Sequence, residues 1–255
     1  MTPMLAVYFG LVLARVAAFV AVMPLFSGRT PQTLRAALAL TLTIFYFGAV
    51  TPAWDPAIAR QSADIHWLVY LLLVLREAVI GAALGFAFTL FLLPMRIAGE
   101  FVTVQIGLAS SQQVGLATTT PAGPITLIFE AAGSLLFLEM NGHHVVLSAL
   151  HASFDKLPLG GTMFPMPVGP MVNGLGAAYQ MGLLLAGPLG LCLFMLAVVL
   201  AMMARAAPQL NIYSVGFTMQ VLVALVGTFF LLPDMVRLMM LIIGRVSDSV
   251  GGYME

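Results

Sequence analysis

Six long apolar stretches in this sequence leave few folds open to it. They cover about residues 4–26, 36–50, 66–93, 125–150, 175–203 and 212–243. A helix that crosses a bilayer needs about 20 apolar residues, so the stretches predict six membrane-spanning segments, of which the second is short. Their backbone groups must be hydrogen-bonded internally, and the stretches lack the alternating pattern of a β-barrel. We therefore predict an all-α membrane protein.

The balance of residue types supports this class and argues against others. Hydrophobic residues make up 61% of the 255 residues and charged residues only 8%, whereas an average soluble domain carries about 25% charged residues. Ten basic and ten acidic residues leave no net positive charge to hold nucleic-acid phosphates, so we expect no nucleic-acid partner. The first stretch lacks a basic leader and an obvious cleavage site, so it is expected to be a retained span.

Charged residues interrupt several stretches, and they are costly wherever they face lipid. They are Arg76 and Glu77 in the third stretch, Glu130 and Glu139 in the fourth, and Asp234 and Arg237 in the last. We expect them to face protein or water instead. Adjacent residues lie about 100° apart on a helix, so Arg76 and Glu77 are not expected to share one contact point. Glu77 is expected either to pair with a group from another helix or to serve in a proton relay.

Clustered metal ligands are scarce in this sequence. His143, His144 and His151 form the one histidine cluster, and no carboxylate or cysteine completes a metal-binding spacing around them. Cys192 is the single cysteine, so neither a disulfide nor a paired-cysteine site can form. We therefore expect no metal and no other cofactor.

Glycines and prolines predict where helices touch and where they end. Gly81 and Gly85 are four residues apart on one helical face, a spacing that allows close approach of a second backbone. Pro94 is expected to interrupt the third helix, because proline removes a helical hydrogen bond. Residues 157–170 hold four prolines and three glycines, so they are predicted to form a loop.

Residues 99–124 are polar yet almost uncharged. They hold four glycines, two prolines and one charged residue, together with serines, glutamines and three successive threonines. An ordinary exposed loop would carry more charge. Irregular backbone at membrane depth is tolerated where it lines a water-filled cavity. We therefore predict that this stretch borders an aqueous path, with a plain surface loop as the alternative.

Short motifs occur in a fixed order along the chain. They are Gly99, Glu100, Gln105 and Gly107, then Asn141, Gly142 and His143, and finally Pro208, Gln209, Leu210 and Asn211. In this order they resemble the signature of the flagellar biosynthetic protein R family, which is homologous to the T subunit of type III secretion systems. The chain departs from the family at Gly115-Leu116, where Asp-Pro is common, and at Thr218, where proline is common.

The resemblance implies a structural subunit of the flagellar protein export gate. Such a subunit is built from membrane-associated helical hairpins, with bent or broken helices that form part of a funnel-like channel, and residues 1–255 are expected to form one domain. The implied partners are the export-gate P and Q subunits, the B and A export subunits, and unfolded protein substrates in transit. The implied setting is a hetero-oligomer at the flagellar basal body in the bacterial inner membrane, with no catalytic residue.

The resemblance also implies a channel plug within the polar stretch. The plug residues are Ser110, Ser111, Gln112, Gln113, Val114, Gly115, Leu116, Ala117, Thr118, Thr119, Thr120, Pro121, Ala122 and Gly123. They are expected to close the channel at rest and to move aside for unfolded substrate.

Three other functions stay open at this point. A virulence-type T subunit would share the same motifs. A secondary transporter for small solutes would be expected to contain paired internal repeats, and no convincing repeat is visible. An intramembrane enzyme would need a paired catalytic arrangement within the spans, and none stands out.

Overall fold

A computed structural model describes residues 2–23, 31–50, 67–107, 123–161, 168–206 and 212–251. The regular elements within these ranges are helices, which confirms the all-α prediction. In chain order they are α1 (Thr2–Val22), α2 (Gln32–Phe45) continued by a π-helical turn (Tyr46–Val50), α3 (Trp67–Gln105), α4 (Pro124–Glu139), α5 (Gly142–Lys156), α6 (Val168–Ala206) and α7 (Ile212–Gly251).

Four of the described helical segments are long and apolar enough to cross a membrane. They are Leu5–Val22, Trp67–Gln105, Gly169–Ala206 and Val215–Ile242, and α4 with α5 forms a bent pair that counts as a fifth span if taken together. The prediction of six spans is therefore wrong for the described residues. The second stretch forms an α-helix of 14 residues continued by a π-helical turn of five residues, and it is not among the described segments long and apolar enough to cross a membrane. The fourth stretch is divided at Met140 and Asn141.

Prolines do not end the long helices. Helix α3 has 39 residues and continues through Pro94 to Gln105, so the predicted interruption at Pro94 is wrong. Pro188 lies inside α6 and Pro233 inside α7, which has 40 residues. A proline costs one helical hydrogen bond, but in apolar surroundings the other backbone groups have no better partners than those within the helix.

The predicted loop at 157–170 is partly correct. Leu157–Gly161 is irregular, with Gly160 at φ 75°. Helix α6 begins at Val168, so the last three residues of the predicted loop are helical. Pro170 is tolerated there because amide groups in the first helical turn have no intrahelical acceptor. Residues 162–167 lie outside the described ranges.

The described residues divide into two compact units. One unit comprises those within Met1–Thr89, His143–Val172 and Val246–Glu255, and the other those within Leu90–Gly142 and Asn173–Arg245. The single domain expected from the sequence stays a prediction.

In the first unit, α1 runs parallel to the first half of α3, and glycines let the two helices touch. The close approaches are Gly10 against Tyr70, Gly81 against Arg15, and Gly85 against Phe19. A Cβ atom at Gly81 would overlap the backbone oxygen of Arg15, and one at Gly85 would lie 2.8 Å from the backbone oxygen of Phe19. The predicted close approach at Gly81 and Gly85 is confirmed, in the manner expected of helices whose packing relies on small residues.

Aromatic contacts complete this unit. Phe47, in the π-helical turn, packs against Tyr8 and Phe9 of α1, with ring centroids 5.5 Å and 5.6 Å away. Tyr46 packs against Phe154 of α5 at 4.9 Å. These distances suit the offset and edge-on arrangements that aromatic rings prefer.

In the second unit, glycines also lie at the contacts between helices. They are Gly99 of α3 against Thr126 of α4, Gly133 of α4 against Met95 of α3, Gly190 of α6 against Phe101 of α3, and Gly227 of α7 against Leu189 of α6. Two further contacts join Gly182 of α6 to Ile97 of α3 and Gly216 of α7 to Leu200 of α6. Together the pairs make α4 antiparallel to α3, α6 parallel to α3, and α7 antiparallel to α6. A core of buried apolar residues fills the space between the four helices.

We expect Gly81→Ala to lower the free energy of unfolding by about 2–3 kcal/mol, because the new methyl group forces two backbones apart. Gly176→Ala is the matched control, since nothing lies within 4 Å of a Cβ atom at that helical position. It should raise the stability by up to about 1 kcal/mol through helix propensity. Denaturant unfolding of the purified chain in detergent micelles measures both changes, and equal effects of the two substitutions would contradict the proposed contact.

Candidate functional site

Helix α3 ends in a conformation that suits glycine. The last α-helical hydrogen bond of α3 runs from the Ile106 N–H to the Val102 carbonyl oxygen, at 3.1 Å. Gly107 follows with φ 81°, and its N–H donates to the Val104 carbonyl oxygen at 3.0 Å. A left-handed glycine is a common helix terminator, because other residues pay a steric cost there. The α3 helix therefore stops at a defined point, immediately before the polar segment.

Helix α4 begins just as sharply on the far side of that segment. Gly123 has an extended backbone, and Pro124 occupies the first helical position. Proline is favoured there because its fixed φ suits a helix and its missing N–H needs no partner. The 15 residues from 108 to 122 connect these two helix ends and lie outside the described residues.

The two helix ends are held together by a close backbone contact. A Cβ atom at Gly99 would lie 2.6 Å from the Thr126 Cα atom and 3.1 Å from the Phe129 Cβ atom, which leaves no space for a side chain. Thr103 lies one turn after Gly99 and donates a hydrogen bond of 2.7 Å to its carbonyl oxygen. The hydroxyl oxygens of Thr103 and Thr126 are 3.0 Å apart and buried. We call this contact the Gly99 clamp.

Apolar side chains continue the contact toward the polar segment. Four residues at this contact are buried in the core of the second unit: Val102 of α3, Ile106 directly after α3, and Ile125 and Phe129 of α4. Outside this core, Arg96 contacts Glu100 at 2.9 Å and Glu130 at 3.7 Å. Those side chains are partly exposed, so solvent screens the ion pairs and they stabilise little. Packing, rather than charge, fixes the base of the segment.

Several motif residues have structural roles in α3 or at its end. Gly99 forms the clamp, Gly107 ends α3, and Glu100 and Gln105 are exposed on the same helix. Of the predicted plug residues, Gly123 is described. Residues 110–122 and the motif at 208–211 lie outside the described ranges, so their roles stay predictions.

The Asn141-Gly142-His143 motif lies where α4 gives way to α5. Asn141 has φ 58°, a left-handed conformation that asparagine adopts more readily than most residues. A Cβ atom at Gly142 would overlap the Phe137 ring, so only glycine fits. His143 has a buried Nδ1 atom without a hydrogen-bond partner. The first two residues therefore shape the break between the helices.

A second cluster, in the first unit, joins Arg15 of α1 to Glu77 of α3. The Arg15 Nε–H donates to Glu77 Oε2 at 2.7 Å, and both side chains are 0% exposed. Arg15 also donates to the carbonyl oxygens of Ser153 and Leu157, each at 2.9 Å. Its guanidinium lies 4.5 Å from the centre of the Phe154 ring. One arginine thus ties α1 to α3 and to the end of α5.

Arg76 reaches the same carboxylate from the neighbouring position. Its Nη1 atom lies 2.6 Å from Glu77 Oε1, so the expectation that the two residues share no contact point is wrong. The angle of about 100° between adjacent helix positions separates the Cβ atoms of the two residues. The arginine side chain is long enough to bend back, so its guanidinium still reaches the Glu77 carboxylate. Glu77 also accepts a hydrogen bond from the Gly160 N–H at 3.3 Å. Because both its oxygens are occupied and buried, the geometry favours structural pairing over a proton relay.

The sequence contained a signal for this partnership. Arg15 is the one charged residue in the first apolar stretch, and Glu77 lies in another apolar stretch. Opposite charges in two apolar helices neutralise each other when the helices pack together. The charge pattern could therefore have predicted the pair, whereas the backbone partners of Arg15 could not be foreseen.

The described histidines do not assemble a metal site. His143 and His144 have ring centroids 4.4 Å apart, and His151 Nε2 lies 3.6 Å from the Asp155 carboxylate. That carboxylate was not anticipated as a neighbour of the cluster. Among the described residues there is no group of three or more His, Cys, Asp or Glu that could hold a metal ion.

We expect Glu77→Gln to lower the free energy of unfolding by about 3–5 kcal/mol, because it leaves Arg15 buried without a counter-charge. Glu100→Gln is the matched control in the same helix, and it should cost less than about 1 kcal/mol because its pair is exposed. Replacing Arg15 by Met and Glu77 by Leu together should cost less than the sum of the single changes. Chemical denaturation in detergent checks all three, and a harmless Glu77→Gln would contradict the assignment.

We expect Gly107→Ala to destabilise the end of α3 by about 1–2 kcal/mol, since nothing lies within 4 Å of its Cβ position and the cost is conformational. Gly107→Asn should cost less, because asparagine tolerates the left-handed region. Hydrogen exchange at the amide groups of Val104 and Gln105 should report faster opening in the alanine variant alone. Equal exchange in both variants would argue against the proposed helix end.

Comparison with known proteins agrees with the motifs. Residues 6–246 match the family described as bacterial export proteins, family 1. The chain is 30% identical over 215 residues to flagellar biosynthetic protein FliR of Escherichia coli (strain K12), covering 84% of this chain and 79% of that protein. It is 27% identical over 227 residues to FliR of Bacillus subtilis (strain 168), covering 86% and 83%.

A relative with a different name is also similar. The chain is 25% identical over 153 residues to surface presentation of antigens protein SpaR of Shigella sonnei, covering 60% of this chain and 59% of that protein. The family match extends over nearly the whole chain, and the similarity to the Escherichia coli protein covers most of both sequences. The chain therefore belongs to the bacterial export proteins, family 1, in agreement with its resemblance to the flagellar biosynthetic protein R family.

Proposed function

We propose that this protein is a structural subunit of the flagellar type III export gate, the channel through which unfolded flagellar proteins cross the bacterial inner membrane. The observation that carries the proposal is the Gly99 clamp, which anchors both ends of a polar, almost uncharged segment on one tightly packed helix pair. Membership of the bacterial export proteins, family 1, supplies the context.

The anchored base suits a plug that moves while its supports stay in place. The α3 and α4 backbones are too close at the clamp to admit a side chain, so they cannot slide without losing buried contacts. Between them, 15 residues rich in serine, threonine and glutamine, with one glycine, form the connecting segment. Their uncharged polar groups hydrogen-bond to water without attracting ions strongly, and glycine allows many backbone conformations. We assign residues 110–123 to this plug.

The exposed apolar surface supports a role inside an assembly. In the second unit, large side chains such as Leu184, Phe229 and Phe230 are mostly exposed, with Phe230 at 73%. Such surface on a stable protein must be covered by lipid or by other apolar chains. We propose that the export-gate P and Q subunits cover part of it, and that the B and A export subunits complete the hetero-oligomer.

The proposed mechanism is passive. The chain contributes wall, plug and packing surface, and other components supply the energy for transport. No catalytic role is assigned to any residue, because the buried charged groups of the first unit are engaged in structural hydrogen bonds.

A virulence-type T subunit is the second candidate, and the similarity to SpaR of Shigella sonnei favours it. We prefer the flagellar function because the relatives named FliR are similar over a larger share of the chain. Complementation of a strain that lacks its own flagellar R protein distinguishes the two, since restored swimming is expected for a flagellar subunit alone.

We expect deletion of residues 110–123 to raise the ion leak through the assembled gate, because the resting channel then lacks its plug. The leak is measured as growth inhibition or ion flux in cells that produce the whole gate. Gly107→Asn is the control that leaves the segment intact and should leave the leak at the wild-type level.

A second variant separates leak from misassembly. Replacing residues 110–123 with glycine and serine at the same length keeps the connection between α3 and α4, so the gate should assemble while the leak rises. An unchanged leak in assembled complexes that carry the deletion would count against the plug.

A further inference from the structure

Glu139 is the last residue of α4, and its side chain is exposed. It makes no hydrogen bond and no ion pair within the described residues, and the last turn of α4 contains no basic residue. The carboxyl end of a helix carries a partial negative charge, which disfavours a carboxylate there and favours a cation. Two negative features therefore meet at one exposed point, and a single cation would neutralise both.

An apolar stripe on α4 leads directly to this carboxylate. Ile128, Leu135 and Glu139 follow one another at intervals of seven and four residues, so they lie on one face of the helix. Ile128 is 42% exposed, Leu135 is 69% exposed, and Leu138 widens the stripe with 47% exposure. Gly133, which contacts α3, lies on the other side of α4. We call Ile128, Leu135, Leu138 and Glu139 the α4 outer face.

Neither lipid nor water suits the whole of this face. A carboxylate costs free energy in lipid, whereas exposed leucine side chains cost free energy in water. Glu139 lies only about 6 Å beyond Leu135 along the helix axis. A surface that combines apolar groups with a cation at one end satisfies both requirements.

A protein helix supplies that combination better than a phospholipid does. In a phospholipid, the negatively charged phosphate lies between the acyl chains and any cationic group. A carboxylate at the end of an apolar stripe would therefore meet the phosphate first and be repelled. A Lys or Arg side chain on an apolar helix carries its charge without an attached anion. Charge complementarity thus favours a protein partner.

We propose that the α4 outer face docks an apolar helix of another export subunit, which places a Lys or Arg side chain on the Glu139 carboxylate. The inference rests on the proposed function, because it requires that the chain works inside a hetero-oligomer. The partner's cation neutralises both the carboxylate and the negative end of α4, and its apolar side chains cover Leu135 and Leu138.

Co-purification of the whole gate, produced with its sister subunits, tests the docking face. Glu139→Gln should lower the recovery of the docked subunit by about tenfold, because it removes the charge that the partner's cation needs. Glu139→Lys should lower the recovery further, since two cations then face each other. Wild-type recovery with Glu139→Lys overturns the inference.

Asp155 provides the matched control for both substitutions. It is also an exposed carboxylate in the last turn of a helix, α5, but it lies beside His151. Asp155→Asn and Asp155→Lys should therefore leave the recovery of export subunits at the wild-type level. An equal loss with the Asp155 variants would show a general effect of surface charge and would contradict a specific site at Glu139.

The stability of the full chain separates docking from a structural role. Glu139→Lys should not lower the midpoint of chemical denaturation in detergent, because a cation suits the carboxyl end of α4. A docking residue thus predicts lost assembly with retained stability. A midpoint that falls together with the recovery would assign Glu139 a role in holding α4 in place and would overturn the docking face.

Photo-crosslinking tests the same face without changing Glu139. A photoreactive amino acid at Leu135 or Leu138 should join to a subunit peptide that carries a Lys or Arg within one helical turn of the crosslink. Replacing that residue by Glu should restore recovery when it is combined with Glu139→Lys, because the pair is then reversed. Crosslinks to lipid, to this chain itself or to no partner contradict the proposal.

The two proposals fail in different ways. If the wild-type chain recovers no export subunit and restores no export, the proposed function is wrong. If the wild-type gate assembles and exports normally while Glu139→Lys is neutral and no basic peptide crosslinks to Leu135 or Leu138, the docking face alone is wrong.

Discussion

The buried pair of Arg15 and Glu77 is the interaction on which the first unit depends. Apolar helices in apolar surroundings gain little from burial, so close packing and polar contacts must hold them together. Here one carboxylate fixes α1 against α3, and the hydrogen bonds from Arg15 extend the same constraint to the end of α5. Gly81 lies one turn after Glu77 and lets the two backbones touch. Charge selects the partner helix, and the glycine sets the distance.

In the second unit, glycine and threonine residues hold the helices in close contact. Gly99 brings α3 against α4, and the hydroxyls of Thr103 and Thr126 meet beside it. Both hydroxyls are buried, so their mutual hydrogen bond avoids the cost of an unsatisfied polar group. Beyond this clamp in the sequence, the helical conformation ends at Gly107. A stiff base beneath a polar segment is the arrangement on which the proposed plug depends.

The sequence predicted the class of fold and part of the packing. Long apolar stretches indicated helices, and the spacing of Gly81 and Gly85 indicated a close contact, because both signals are local. The continuation of α3 through Pro94 was missed, since it depends on surroundings that a local rule does not contain. The contact between Arg76 and Glu77 was missed because side-chain length was ignored. The plug at 110–123 stays a prediction from resemblance.

The length of the helices has a consequence for how the protein is made. Helix α7 has 40 residues and is therefore about 60 Å long, whereas the hydrocarbon core is about 30 Å thick. Ordinary tilts of up to about 40° do not absorb that difference. Its apolar part, Val215–Ile242, has 28 residues and is about 42 Å long, so at a tilt of about 20° some of its apolar side chains lie outside the hydrocarbon core. A newly synthesised copy therefore exposes apolar side chains until its partner subunits cover them, so the cell must make those subunits at the same time.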